Sequence, residues 1–86
     1  MKKFKAQVIV RLRASVSDSA GNAVKTNVNK ICNIKDISLL RLGKVIDMEF
    51  EAPNMEFAEK EMKELSGRLL ANTVIEDWEL QLQEVV

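Results

Sequence analysis

The sequence predicts an α+β fold, a ferredoxin-like sandwich in which a four-stranded antiparallel sheet carries both helices on one face. Three observations favour it. Three segments alternate apolar and polar residues with the period of two that is typical of half-buried strands. Two other segments repeat apolar residues at helical spacing, and a short apolar run between them suits a fourth strand. The element order is therefore β-α-β-β-α-β, in one domain spanning residues 1–86.

The first strand is predicted from Lys3 to Arg13. Its apolar face consists of Phe4, Ala6, Val8, Val10 and Leu12. Asp18 is a suitable N-cap for the helix that follows, and Asn33 is expected to close that helix. The apolar stripe of this first helix consists of Ala20, Val24, Val28, Ile31 and Cys32.

A short apolar strand is predicted from Ile37 to Leu42. Gly43 and Lys44 are expected to connect it tightly to a third strand over residues 44–51. The inward side chains of the third strand are predicted to be Ile46, Met48 and Phe50.

Pro53 and Asn54 stop the third strand and open the second helix, which Asn72 is expected to end. The core stripe of this helix is predicted to be Ala58, Met62, Leu65 and Leu69. The last strand is predicted from Asp77 to Val86. Its apolar side consists of Trp78, Leu80 and Leu82.

The distribution of charge supports one particular strand order. Residues 1–43 hold nine basic and two acidic side chains, a net charge of +7, and residues 44–86 hold four and eleven, a net charge of −7. Right-handed crossovers place the first strand between the third and the fourth. Lys3 and Lys5 would then lie near Glu49 and Glu51 on the open face of the sheet, where opposite charges on neighbouring strands attract.

Composition excludes several classes of function. The overall net charge of zero argues against nucleic-acid or anionic-membrane partners held by bulk electrostatics. With no His and one Cys, the chain offers neither a histidine base nor a His or thiolate metal site, which nearly excludes a free-standing enzyme. The lone cysteine and the lack of a secretory apolar segment point to the cytoplasm.

Four candidate sites each have a simpler structural interpretation. Asp47, Glu49 and Glu51 could form a metal or acid–base cluster, but cross-strand pairing with lysines is favoured. Cys32 could be a nucleophile, but burial in the core is favoured. Residues 18–21 resemble a phosphate-binding turn, yet suit a plain helix start. Stacking of RNA bases on strand aromatics such as Phe4 is less favoured than their burial in the core.

Several strand positions are apolar on both faces of the sheet. They are Val8-Ile9-Val10, Leu39-Leu40, Val74-Ile75 and Val85-Val86. Helices cover only one face of such a sheet, so the other face needs a partner, and the last strand is a long edge strand. We therefore expect an oligomer or a subunit, with a second copy (as a dimer or tetramer) as one partner.

Three blocks of sequence resemble a known family. Residues 68–82 (RLLANTVIEDWELQL) are similar to the C-terminal signature of PurS, the small subunit of phosphoribosylformylglycinamidine (FGAM) synthase. Residues 18–24 (DSAGNAV) are similar to that family's D-P-x-G-x-A-V, and residues 40–46 (LRLGKVI) to its V-R-x-G-K-x-I hairpin. Ser19, Trp78 and Leu40 depart from the usual Pro, Tyr and Val.

The resemblance implies a subunit of an ATP-dependent ligase in purine biosynthesis. Such a complex converts formylglycinamide ribonucleotide, glutamine and ATP to formylglycinamidine ribonucleotide, glutamate, ADP and phosphate. A PurQ-like glutaminase and a PurL-like synthetase carry the chemistry, and ATP and Mg are used by the synthetase. This chain is implied to be the adaptor that joins them and aids ammonia transfer, with no catalytic residue, cofactor or metal of its own.

Two functions on the same fold compete with this one. An ACT-like regulatory module would bind a small molecule in a cleft near a glycine after the first strand, where Gly21 is the only candidate. An acylphosphatase-like enzyme would need an arginine loop and an asparagine that the sequence lacks.

The densest part of the resemblance is also the predicted interaction site. Leu70 and Val74 are expected to form the apolar centre of a contact, with a polar rim around them. The predicted site residues are Arg68, Leu70, Asn72, Thr73, Val74 and Glu76.

Overall fold

The computed structural model describes residues 1–13, 19–34 and 37–85. Three strands and two helices follow one another along the chain, and a five-residue π-helical turn, Ser66–Leu70, continues the second helix. The elements are β1 (Lys2–Leu12), α1 (Ser19–Ile31), β2 (Gly43–Ala52), α2 (Met55–Leu65) and β3 (Glu76–Val85). The predicted cap Asp18 and the last predicted strand residue, Val86, lie outside the described residues.

The sheet of the described residues has three antiparallel strands in the order β2-β1-β3. This order confirms that the first strand lies between the third and the fourth of the predicted strands. Lys5 lies opposite Glu49 in the β1–β2 ladder, and their side chains form an ion pair at 3.7 Å. Lys3 lies opposite Glu51, so the predicted pairing of opposite charges across these strands is confirmed.

The core lies between the sheet and α2, and the central strand β1 contributes four of the eight buried apolar residues in the described part of the chain. The alternation predicted for β1 is confirmed by the burial of Phe4, Ala6, Val8 and Val10. The remaining buried apolar residues are Ala52, Ala58, Met62 and Ala71. Half-buried residues from the two outer strands complete the core, and these are Ile46, Met48, Phe50, Trp78, Leu80 and Leu82. The predicted inward faces of both outer strands are thereby confirmed.

The second helix begins as predicted but ends with a change of phase. The Asn54 side chain caps it by accepting a hydrogen bond from the Phe57 N–H at 2.8 Å. A π-helical turn holds more residues per turn than an α-helix, so it rotates the side chains that follow. Ser66 is buried because it follows Ala58 and Met62 at regular α-helical spacing. After the π-helical turn Leu70 packs against the core, and Leu69 is 74% exposed. The prediction of Leu69 as a core residue is wrong for this reason.

The predicted four-stranded sheet is not found within the described part of one chain. Residues 37–42 are not in the sheet, and the tight turn expected at Gly43-Lys44 is wrong because Gly43 is already the first residue of β2. Its φ lies outside the left-handed region that hairpin glycines use. The Arg41 guanidinium instead donates a hydrogen bond to the Leu12 carbonyl at 3.1 Å, so this segment meets the end of β1.

The predicted position of α1 on the sheet is also wrong. Within the described ranges, α1 makes at most marginal contact with the strands and with α2. Of its predicted core stripe, Val24 is 39% exposed, Ile31 is 84% exposed and Cys32 is exposed. The radius of gyration is 16.8 Å, whereas a compact domain of this length would have about 12 Å. The helix therefore projects from the sheet instead of covering it.

Candidate interaction surface

Two carboxylates on the open face of the sheet have partners on the neighbouring strand. Asp47 accepts a hydrogen bond from the Gln7 amide at 3.2 Å, and Glu49 pairs with Lys5. The predicted cross-strand pairing with a lysine is therefore confirmed for Glu49, whereas the cross-strand partner of Asp47 is a glutamine. Among the described residues, no group of three or more His, Cys, Asp or Glu side chains is placed to hold a metal ion.

Cys32 lies just beyond the end of α1. It is exposed, so its predicted burial in the core is wrong. Its thiol donates a weak hydrogen bond to the Val28 carbonyl at 3.4 Å, inside the last turn of the helix.

Neither α1 nor α2 is long and apolar enough to cross a membrane.

The predicted interaction site forms a corner between the π-helical turn and β3. Asn72 builds this corner. Its carbonyl accepts hydrogen bonds from the N–H groups of Ile75 at 3.0 Å and Glu76 at 2.7 Å. Its own N–H donates to the Glu76 carboxylate at 2.7 Å, and its side-chain oxygen accepts from the Val74 N–H at 3.2 Å. Asn72 and Glu76 therefore shape the turn and fix the direction in which Val74 projects.

Arg13 fastens this turn to the central strand. Its backbone N–H donates to the Ile75 carbonyl at 2.9 Å, and its guanidinium donates to the Thr73 carbonyl at 2.5 Å. The same guanidinium forms an ion pair with Asp77 at 3.2 Å. Sequence reasoning did not include Arg13 in the site, because its partners lie about sixty residues further along the chain. The predicted strand order, which puts the end of β1 beside the start of β3, was the signal that could have found it.

The exposed residues of the corner differ partly from the prediction. Val74 is 79% exposed, as the centre of a contact should be, but Leu70 is half-buried against the core. Leu69 takes its place at the surface. Arg68 is exposed and pairs with Glu64 at 2.7 Å. The corner surface, defined here as Arg68, Leu69, Thr73 and Val74, thus combines two apolar side chains with polar neighbours.

A family model of PurS, described as phosphoribosylformylglycinamidine (FGAM) synthase, matches residues 5–84. The chain belongs to the PurS family. It is 34% identical to the FGAM synthase subunit PurS of Bacillus subtilis over 83 residues, covering 96% of both proteins. It is 36% identical to the same subunit of Synechocystis over 75 residues, which are 87% of this chain and 74% of that protein. The match confirms the resemblance drawn from the three sequence blocks and favours it over an ACT-like module.

Solved structures of PurS have the same fold. The structure of Thermus thermophilus PurS aligns with a TM-score of 0.82 at 30% identity, covering 98% of this chain and 99% of that one. A chain in the PurLQS structure from Thermotoga maritima aligns with a TM-score of 0.80 at 34% identity, covering 99% and 100%. The chain is therefore a PurS subunit of FGAM synthase, which acts in purine biosynthesis.

Proposed function

We propose that this chain is the adaptor of a three-part FGAM synthase, joining a PurQ-like glutaminase to a PurL-like synthetase. The observation that carries the proposal is the alignment, over nearly its whole length, with a chain of the Thermotoga maritima PurLQS structure. In this scheme the complex consumes formylglycinamide ribonucleotide, glutamine and ATP. It releases formylglycinamidine ribonucleotide, glutamate, ADP and phosphate.

The proposal assigns the chemistry to the two partners. Glutamine hydrolysis needs an activated nucleophile, and phosphoryl transfer from ATP needs cationic groups around the phosphates. On the open sheet face of this chain, Lys5 and Glu49 are paired with each other. We accordingly place ATP and Mg on the synthetase. We assign this chain the task of holding the glutaminase where ammonia passes to the synthetase.

The corner surface is the part of the chain that we assign to partner contact. An exposed valine and an exposed leucine among polar groups resemble the apolar centre of a small interface. Burying each side chain against a partner would be favourable. Asn72, Glu76 and Leu70 keep a role in this surface, because the first two shape the turn and Leu70 fixes the π-helical turn to the core.

Reconstitution with the PurQ-like and PurL-like proteins of the same organism tests the adaptor role. Adding the chain should restore glutamine-dependent formation of formylglycinamidine ribonucleotide, while ammonia-dependent formation by the synthetase should change much less. The Val74→Glu variant should restore less glutamine-dependent activity. Val45→Glu is the matched control, since Val45 is also a largely exposed valine but lies in β2. An equal dependence of both activities on the chain would contradict the proposal.

A further inference from the structure

Two adjacent leucines at the end of the second helix compete for one place in the core. Leu69 follows Met62 by seven residues, which is about two turns of a regular α-helix, so an unbroken helix would set Leu69 beside Met62 in the core. The π-helical turn adds one residue to those two turns, and Leu70 takes that place instead. Leu69 is left 74% exposed. The same sequence therefore fits two helical registers, each of which buries one leucine.

The backbone hydrogen bonds at the end of this helix can be exchanged between the two registers. The Ala71 N–H donates to the Ser66 carbonyl at 3.0 Å, five residues back along the chain. In an α-helix the same carbonyl accepts the N–H four residues ahead, which is that of Leu70. A change of register therefore replaces one hydrogen bond by another and one buried leucine by its neighbour, so the two registers differ little in free energy.

Ser66 and Gly67 weaken the regular helix at the point where the register changes. The buried Ser66 hydroxyl donates to the Met62 carbonyl at 2.7 Å, and that carbonyl also accepts the Ser66 N–H. Such bonding back to the preceding turn destabilises and bends helices, and glycine is a poor helix former. Gly67 lies beside the Trp78 ring, where a Cβ atom would be 3.9 Å away, so the backbone has room to rotate there.

We propose that residues 66–70 form a two-state switch. In the π-helical register Leu70 fills the core and Leu69 is exposed at the corner surface. In the α-helical register Leu69 fills the core, Leu70 turns outward, and one residue passes from the helix into the turn that Asn72 builds. A partner that buries Leu69 selects the π-helical register, because only this register presents the complete corner surface. This last step rests on the proposed adaptor role, whereas the two registers do not.

The Leu70→Ala variant tests the change of register without any partner. Removing most of the Leu70 side chain should favour the α-helical register, in which Leu69 fills the core. Nuclear Overhauser NMR should then show contacts between the Leu69 methyl groups and Met62. Leu65→Ala is the matched control, since Leu65 packs against the same core before the π-helical turn and its loss should not change the register. Leu69 methyl groups that make no core contact in Leu70→Ala would overturn the switch.

Urea unfolding gives a second test of the two registers. Leu69→Ala by itself should leave the unfolding midpoint nearly unchanged, because Leu69 is exposed in the π-helical register. The same substitution in the Leu70→Ala background should lower the midpoint clearly, because Leu69 has then become the core residue. Additive effects of the two substitutions would overturn the switch.

Deletion of Gly67 tests the switch even if Leu70→Ala does not fold. Without this residue, the distance along the chain from Met62 to Leu70 becomes that of two α-helical turns. A regular helix then places Leu70 in the core and keeps Leu69 exposed. The deletion variant should therefore fold, with Leu70 methyl groups in contact with Met62. An unfolded chain would show that the segment cannot form a regular helix and would overturn the α-helical register.

Binding to the PurQ-like and PurL-like subunits separates the switch from the adaptor role. Leu70→Ala should weaken binding by about tenfold, because Leu69 is withdrawn from the corner surface. Deletion of Gly67 should bind as the unchanged chain does, and Leu65→Ala should lose much less affinity than Leu70→Ala. Equal losses in Leu65→Ala and Leu70→Ala would overturn the link between register and binding. Core contacts of Leu69 in Leu70→Ala together with unchanged affinity would support the switch and contradict the corner surface as the partner contact.

Discussion

The backbone of Gly43 lies so close to Val10 that a Cβ atom at position 43 would be 2.5 Å from the Val10 carbonyl oxygen. Real Cβ atoms do not approach backbone oxygens this closely, so any side chain at this position forces the strands apart. Gly43 is thus needed for the start of the β1–β2 ladder and not for a turn. This approach gives a structural reason for the glycine within the block of residues 40–46.

Gly43→Ala is therefore expected to destabilise the protein. Displacing backbone in a sheet is comparable to overpacking a core, and we expect a loss of about 1–3 kcal/mol in the free energy of unfolding. Urea unfolding at one fixed protein concentration measures it. Gly67→Ala is the control, because a Cβ atom there would meet the Trp78 ring at an ordinary 3.9 Å. Equal effects of the two substitutions would show that close approach is not the reason for Gly43.

Asn54→Ala should weaken the start of α2. The Asn54 side chain accepts the Phe57 N–H, and loss of such a cap costs about 0.5–2 kcal/mol in unfolding free energy. Asn54→Ser keeps an acceptor in place and should lose much less. Thermal or urea unfolding followed by circular dichroism compares the two variants. If serine and alanine were equally destabilising, the hydrogen bond to Phe57 would not be the cause.

The three observed strands could be predicted from the sequence because each alternates apolar and polar residues. The fourth, over residues 37–42, was predicted from a short apolar run alone and is not in the sheet. Alternation fixed the inward faces, and the separation of charge between the two halves indicated that Lys5 would meet Glu49. The apolar stripe on α1 predicts a helix but does not specify the surface against which it packs, and within the described residues α1 makes at most marginal contact with the sheet. The π-helical turn leaves no mark in apolar spacing, which is why Leu69 and Leu70 exchange their expected positions.

The Lys5–Glu49 pair should contribute little by itself. Both side chains are more than half exposed, and solvent screens pairs of this kind to about 0.2–1 kcal/mol. Lys5→Glu places two acidic groups opposite each other and should be destabilising. The double variant Lys5→Glu with Glu49→Lys should recover most of that loss. A double-mutant cycle on unfolding free energies measures the coupling, and an additive result would contradict the attraction.

Arg13 connects the end of the central strand to the corner surface. Its guanidinium donates to the Thr73 carbonyl and pairs with Asp77, so it restrains the turn from which Val74 projects. Arg13→Ala should raise the hydrogen-exchange rate of the Ile75 and Glu76 amides, because the turn then opens more often. Arg13→Lys replaces two separate guanidinium nitrogens with a single ammonium, so its exchange rates should lie between those of the unchanged chain and of Arg13→Ala.

Arg13→Ala should also weaken binding to the other subunits, although Arg13 lies outside the corner surface itself. A loosened turn must be ordered again on binding, and that ordering lowers affinity without removing any direct contact. Arg11→Ala is the control, since Arg11 is an exposed arginine in β1, two residues before Arg13. Titration with the partner subunits should therefore rank affinity as unchanged chain, Arg13→Lys, then Arg13→Ala, with Arg11→Ala at the unchanged level. Faster hydrogen exchange at Ile75 with unchanged affinity would contradict a role of this turn in partner binding. The corner surface would then not be the contact site.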